Sequence, residues 1–221
     1  MTDPRPDVDL TAVRTHLTSA LLSDALDAQG LRHQCLGTGL ALLDPTRVLA
    51  GYAFPVTIQR VYDVPAEPFR GLVAALDAIG RDEVFVTATH RAADIAVWGE
   101  LLSTVCLARG AAGAITDGLV RDTRAVRELG FPVVSAGTIP YDSMGRHEIV
   151  AHGVPCVVDG VRIERGDLIV ADSDGVVVVP QAVAAGTVRA ALDKRRGENA
   201  FRRAVAEGMS ATEAFATFGV L

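Results

Sequence analysis

The fold turns on residues 99–135, GELLSTVCLARGAAGAITDGLVRDTRAVRELGFPVVS. Residues 99–109 carry apolar side chains at helical spacing and stop at Gly110. Ala111–Thr116 is a short apolar run closed by the turn pair Asp117-Gly118, which reads as a strand. Asp122–Leu129 is helical again, stopped by Gly130, and Phe131–Ser135 is another strand. With a further strand expected at Asp82–Thr87, the centre alternates strand, helix, strand, helix, strand. That order predicts parallel strands joined by crossover helices, an α/β fold.

Upstream, residues 8–29 read as helix closed by Gly30, 47–58 as a strand with an internal Gly and Pro, and 69–79 as a short helix ended by Gly80. Downstream the character changes. Val154–Val158 and Val161–Ile163 flank Asp159-Gly160, a hairpin signal. Asp167–Ala171 and Val176–Val179 flank a second turn, Asp172-Ser173-Asp174-Gly175. These residues either form a second sheet or extend the first. From Gln181 the chain is mostly helix, with a break near Gly208 and a restart at Ser210. The expectation is one α/β domain over 1–221. It has N-terminal helices at about 8–30, an α/β core with a β-rich layer at about 45–180, and C-terminal helices, one of them long, at about 181–221.

Composition narrows the function. A hydrophobic content of 49% against 22% charged residues supports a sizeable core. The net charge of −6 argues against a protein that binds nucleic acid by neutralising phosphates. The start, MTDPRPDVDL, has no basic segment followed by an apolar one, and no run approaches the roughly 18 apolar residues of a membrane span. A soluble, cytoplasmic protein with no membrane partner is expected. Cys35, Cys106 and Cys156 lack metal or disulfide spacing and read as buried, reduced thiols.

Two stretches could carry chemistry. In Trp98-Gly99-Glu100-Leu101-Leu102 a helix begins, and its first amides point at whatever lies beyond it, ready for a small carboxylate. Equally, Gly99 could let Trp98 pack closely while Glu100 complements the helix dipole. Arg121-Asp122 offers a planar cationic fork beside hard oxygens suited to Mg²⁺ or Mn²⁺, or else a surface Arg and a first-turn Asp. Read together, the two stretches would sit at the ends of adjacent strands, where parallel sheets gather ligands. Asp172-Ser173-Asp174-Gly175 lacks the remaining ligands of a calcium loop. Of five histidines, His90, beyond a strand end, is the one positioned for a site. The run Lys194-Arg195-Arg196 with Arg202-Arg203 is either a solvated face or a contact with a neighbouring subunit.

WGELL (98–102), GAAGAITDGLVRD (110–122), FPVVSAG (131–137), RGDLIVADSDGVVVVP (165–180) and the ending GENAFRRAVAEGMSATEAFATFGVL (197–221) together resemble the RraA-like family. That family includes class II 4-hydroxy-4-methyl-2-oxoglutarate/4-carboxy-4-hydroxy-2-oxoadipate aldolases and RraA regulators of RNase E. The resemblance implies a swivelling β/β/α fold. The aldolase signature, an acidic residue followed after twenty residues by Arg-Asp, falls on Glu100, Arg121 and Asp122, with Glu where the best-known form has Asp. Around residue 63 the family's Asp-Asn pair is replaced by Asp63-Val64-Pro65.

By resemblance, Gly99, Leu101 and Leu102 would frame a pyruvate-type pocket, the two leucine amides holding the carboxylate and Arg121 contacting the carboxylate and the 2-oxo oxygen. Asp122 would hold Mg²⁺ or Mn²⁺ directly, with Glu100 and a neighbouring subunit's Glu198 acting through water, in a homotrimer or homohexamer. The implied reaction is metal-dependent retro-aldol cleavage of a 2-oxo acid to pyruvate, with oxaloacetate decarboxylation beside it. No lysine lies in these motifs to form a Schiff base. The alternatives are a non-catalytic regulator of RNase E, or a lyase on another sugar-acid or aromatic-degradation substrate.

Overall fold

The computed structural model describes residues 5–220. Residues 1–4, part of the polar start read as lacking a leader, and residue 221 lie outside the described residues. The helical run expected over 8–29 forms two helices, α1 (Leu10–His16) and α2 (Ser19–Asp27). Asp9 caps α1 by accepting from the Thr11 and Ala12 amides, and the Thr18 hydroxyl caps α2. The break is reinforced from far along the chain. Asp172 accepts from both the Ser19 amide and the Ser19 hydroxyl at 2.7 Å, which anchors the start of α2.

The chain continues through β1 (Ala41–Leu42), β2 (Leu49–Arg60), α3 (Arg70–Ala78), β3 (Glu83–Ala88), β4 (Ala96–Trp98) and α4 (Glu100–Ala108). Then follow β5 (Gly113–Thr116), β6 (Leu119–Val120), α5 (Thr123–Leu129), β7 (Val133–Ser135), β8 (Gly137–Thr138) and β9 (His147–His152). Two antiparallel pairs, β10 (Cys156–Val158) with β11 (Val161–Ile163) and β12 (Leu168–Asp172) with β13 (Gly175–Val179), lead into α6 (Ala184–Ala206) and α7 (Ala211–Phe218). Ser210 and Glu213 form a reciprocal capping box at the restart expected there.

The main sheet runs β1-β7-β5-β3-β2-β12-β13. Strands β2, β3, β5 and β7 are parallel neighbours, as the alternation of the central segment requires. β12 and β13 extend this sheet rather than forming a separate layer, and β9 pairs with the far end of β2. Segment 34–36 bonds to β13 through Leu36 N–H to Val176 O and Val178 N–H to Gln34 O, and β1 then pairs with β7. One stretch of chain thus touches both ends of the sheet and nearly closes it. The enclosed face is filled by Leu49, Val84, Val86, Ile115, Ile169 and Val178, with the β10–β11 hairpin packed against them through Val158 and Ile163. The hairpin turns at Asp159-Gly160, both left-handed, as a tight two-residue hairpin demands.

On the outside, α1, α2 and α6 cover β2, β12 and β13, while α3, α4 and α5 cover β3, β5 and β7. The basic run on α6 is neither free nor simply solvated. Lys194 meets Asp24 at 2.6 Å, Arg195 donates to the His16 carbonyl and Arg202 pairs with Glu198, so part of it ties α6 to α1 and α2. Cys106 and Cys156 are buried, and burial pushes both thiols up to about 12, but Cys35 is exposed, against expectation. Among the described residues no helix is long and apolar enough to cross a membrane.

Helix α3 approaches β9 so closely that a Cβ at Gly71 would run into the Ile149 carbonyl oxygen. Backbone cannot yield as a side chain tip can. Gly71→Ala is expected to destabilise the protein by about 1–3 kcal/mol in urea unfolding. An unchanged midpoint would mean that α3 does not pack this way.

Candidate active site

A second sheet, which the sequence did not announce, decides where the site lies. β4, β6 and β8 pair in parallel in that order, each only two or three residues long. Strands this short leave no periodicity to read. β4 ends at Trp98 and delivers Gly99 and α4. β6 ends at Val120 and delivers Arg121 and Asp122. The Arg121 amide donates to the Trp98 carbonyl at 3.0 Å, which locks the two strand ends side by side. The expectation of adjacent strand ends is met, on this small sheet rather than the main one.

Trp98 anchors the corner from below. It is buried against Phe85 and Phe131, and its indole N–H donates to Ser103 Oγ at 2.8 Å. Above it α4 begins at Gly99, with Ser103 N–H to Gly99 O as its first bond. The amides of Glu100, Leu101 and Leu102 precede that bond, so they present donors and the positive end of the helix dipole. Gly99 has a role that its sequence context did not disclose. A Cβ there would sit 2.8 Å from Asp122 Oδ2, so the missing side chain is the space the carboxylate occupies.

Asp122 is not a first-turn residue of α5. It stands just before the helix with a left-handed backbone, φ 55°, and makes no capping hydrogen bond. Its side chain is half exposed and lies 3.7 Å from Arg121 Nε. Arg121 is fixed more firmly by Asp142, 2.9 Å from its Nη2. Burial works to raise the Asp142 carboxyl, but the Met144 amide and the Arg121 guanidinium outweigh it and hold it below the usual carboxylate range. Sequence reasoning missed Asp142. Its only local sign is the short Asp142-to-Met144 turn, in a loop twenty residues beyond the motif.

These groups border one cavity of about 350 Å³. Gly99, Arg121, Asp122 and Asp142 form its polar end, and Phe69, Leu72, Val73, Leu76 and Leu102 form its apolar wall. Leu101 stands at the mouth, with its side chain largely exposed. Two non-glycine residues with left-handed backbones, Phe69 and Asp122, line it, in keeping with strain being held at functional sites.

The remaining expected site residues are placed elsewhere. Glu100 turns along its own helix and accepts from Thr104 Oγ1 at 2.8 Å. Glu198 lies on α6 beside Arg202, in a surface groove with Thr18 and Asp24, apart from the cavity. Among the described residues no three His, Cys, Asp or Glu side chains converge as a metal cluster. His90 is exposed in a left-handed turn and does not line the cavity.

Residues 19–178 match the RraA-like family model, described as Aldolase/RraA. This chain belongs to the RraA-like family. Over 197 residues, 89% of the chain, it is 29% identical to Protein DlpA of Legionella pneumophila, matching 31% of that protein. Over 88 residues, 39% of the chain, it is 32% identical to a 4-hydroxy-4-methyl-2-oxoglutarate aldolase of Thermus thermophilus, matching 52% of it. These matches therefore span about a third to a half of the relatives' own length. Among solved structures, Streptomyces coelicolor RraAS2, described as an unusual member of the RNase ES inhibitor RraA protein family, superposes with a TM-score of 0.78. It is 32% identical, with 90% of this chain and 98% of that one covered.

Proposed function

We propose that this RraA-like chain is a carbon–carbon lyase on a 2-oxo acid, releasing pyruvate by retro-aldol cleavage of a 4-hydroxy-4-methyl-2-oxoglutarate-like substrate and decarboxylating oxaloacetate. The observation that carries this reading is the meeting of Arg121, Asp122 and the start of α4 on one cavity. The aldolase name of the Thermus relative supports it.

The substrate carboxylate rests on the Leu101 and Leu102 amides, and Arg121 spans the carboxylate and the 2-oxo oxygen. The 4-hydroxyl gives up its proton, the C3–C4 bond breaks, and its electron pair moves towards the 2-oxo oxygen. Decarboxylation breaks the corresponding bond to CO₂ and sends the electrons the same way. Arg121 stabilises the charge that develops there, an effect on the order of several kcal/mol for a preorganised donor once bound substrate displaces water. Protonation at C3 then yields pyruvate. The chain's lysine, Lys194, is bonded to Asp24 on the α6 side, so no Schiff base is available at the cavity.

The donor set suits a hard divalent cation. Mg²⁺ and Mn²⁺ bind through one or two carboxylates, with water and substrate completing the shell, and Asp122 supplies a half-exposed carboxylate on the cavity. Glu100 and Glu198 of the partner subunit would act through water. When bound, the ion supplies Lewis-acid polarisation of the 2-oxo oxygen. In a homotrimer or homohexamer Glu198 would reach the neighbouring subunit's cavity, and Val73, Leu101 and Val105 are exposed apolar residues available to such a contact.

The test is pyruvate release from 4-hydroxy-4-methyl-2-oxoglutarate and from oxaloacetate, before and after EDTA treatment. Activity should fall more than about tenfold with EDTA and return with Mg²⁺ or Mn²⁺. No metal-dependent release from either acid, nor from any other 4-hydroxy-2-oxo acid, would refute the reading. The near full-length likeness to RraAS2 favours a second one, a regulator of an endoribonuclease, which pull-down of such an enzyme together with a lack of lyase activity would establish.

A further inference from the structure

Adjoining the cavity is a second, smaller chamber of about 30 Å³. The two share Phe69, Leu72, Val97 and Ser143 as walls. Three of the residues that line the chamber carry a buried polar atom with no hydrogen-bond partner: Thr87 Oγ1, His147 Nδ1 and Glu148 Oε1. The Thr87 and His147 residues are 2% and 8% exposed, so bulk water does not satisfy them. Leaving a buried polar group unpaired costs about 1–3 kcal/mol, and folded proteins rarely leave several together. Here three residues that carry such atoms line a single space that fits about one hydroxyl-sized group.

The charge of this chamber separates the possible occupants. Glu148 brings a carboxylate. Burial pushes the His147 imidazole below its ordinary range, Asp94 pulls it back and Arg60 adds to the fall, so the ring supplies no compensating cation at neutral pH. The shared walls are apolar except for Ser143, and Arg121, at the polar end of the larger cavity, is taken up on the lyase reading by the substrate's own carboxylate and 2-oxo group. A distal carboxylate would meet the like charge of Glu148, and the cation near His147, Arg60, is already paired with Asp94 at 2.6 Å. A hydroxyl can donate to Glu148 and accept from Thr87, while His147 Nδ1 can serve in either sense.

On the lyase reading above, and in place of the dicarboxylic substrate named there, we infer that the preferred substrate is a 4-hydroxy-2-oxo acid with an uncharged, hydroxylated tail, of the 3-deoxy sugar-acid type, whose far hydroxyl is received by Thr87, His147 and Glu148. The second product of cleavage is then a hydroxyaldehyde. A site built to bond a hydroxyl discriminates strongly against an analogue without one, because its own polar groups are left unpaired.

The experiment compares pyruvate release from 4,5-dihydroxy-2-oxopentanoate and 4,5,6-trihydroxy-2-oxohexanoate with release from 4-hydroxy-2-oxopentanoate and 4-hydroxy-2-oxoglutarate. One of the hydroxylated acids should exceed both comparison acids in kcat/KM by about tenfold or more. Thr87→Val, which keeps the shape, and Glu148→Gln should each lower that value about tenfold while leaving oxaloacetate decarboxylation unchanged. A dicarboxylate handled as well as the hydroxylated acids overturns the inference. So do variants that slow oxaloacetate equally, or that change nothing, as a chamber holding only water would. If no acid yields pyruvate, the lyase reading fails on its own. Calorimetric titration with the same hydroxylated acids and Mg²⁺ then reads the chamber: tighter binding than the dicarboxylate, lost in Thr87→Val, supports it, and equal binding rejects it.

Discussion

Arg121→Ala is expected to lower kcat/KM for pyruvate release by about 10³-fold, equivalent to about 4 kcal/mol of transition-state stabilisation. The guanidinium does two jobs on the proposed reading, pairing with the substrate carboxylate and facing the oxygen on which charge develops. The second job is absent from the ground state, so kcat should fall as well as affinity. Arg121→Lys keeps the charge but loses the planar fork and should recover only part of the rate. The fold should tolerate both changes. The ion pairs of Arg121 with Asp122 and Asp142 involve side chains that are 38–49% exposed, and pairs of that kind contribute about 1 kcal/mol or less. Retention of more than about a tenth of the rate in Arg121→Ala would remove the residue from the reaction.

Asp122→Asn should bring a comparable loss, about 10³-fold, and abolish the response to added Mg²⁺ or Mn²⁺. Asparagine is the informative replacement because of the backbone. With φ at 55°, position 122 suits residues that tolerate the left-handed region, and an alanine there would add about 1–2 kcal/mol of strain unrelated to catalysis. Asn keeps the conformation and the shape beside Gly99 and removes only the charge. A variant with unchanged unfolding, full turnover and an intact metal response would leave the carboxylate without the role proposed for it.

The parallel core was legible because helices such as Glu100–Ala108 are long enough to show period, and Gly110, Asp117-Gly118 and Gly130 punctuate the shorter apolar strands between them. Legibility failed where structure is set by partners distant in sequence. The break at Thr18 is held by Asp172, and nothing in residues 8–29 records that. The sheet of β4, β6 and β8 is too short to carry alternation, although it positions Gly99, Arg121 and Asp122. Arg121 and Asp122 could be found through spacing and resemblance. Asp142 could not, because its link to Arg121 exists only once the loop folds over the strand ends. Thr87, His147 and Glu148 were hidden for the same reason, since they come from different parts of the chain and meet only across β2.

The stretch that covers both β13 and β7 has a consequence for how copies of this chain can meet. Lateral edges are where sheets recruit strands from other molecules, and proteins commonly shield them. Here the two outermost strands are capped by one segment, through Leu36 and Gln34 on one side and Ala41 and Leu42 on the other. Strand-to-strand polymerisation through β13 and β7 is blocked. Self-association is left to other surfaces, among them the outer side of β9 and the helical faces that carry Leu101 at the cavity mouth and Glu198 on α6.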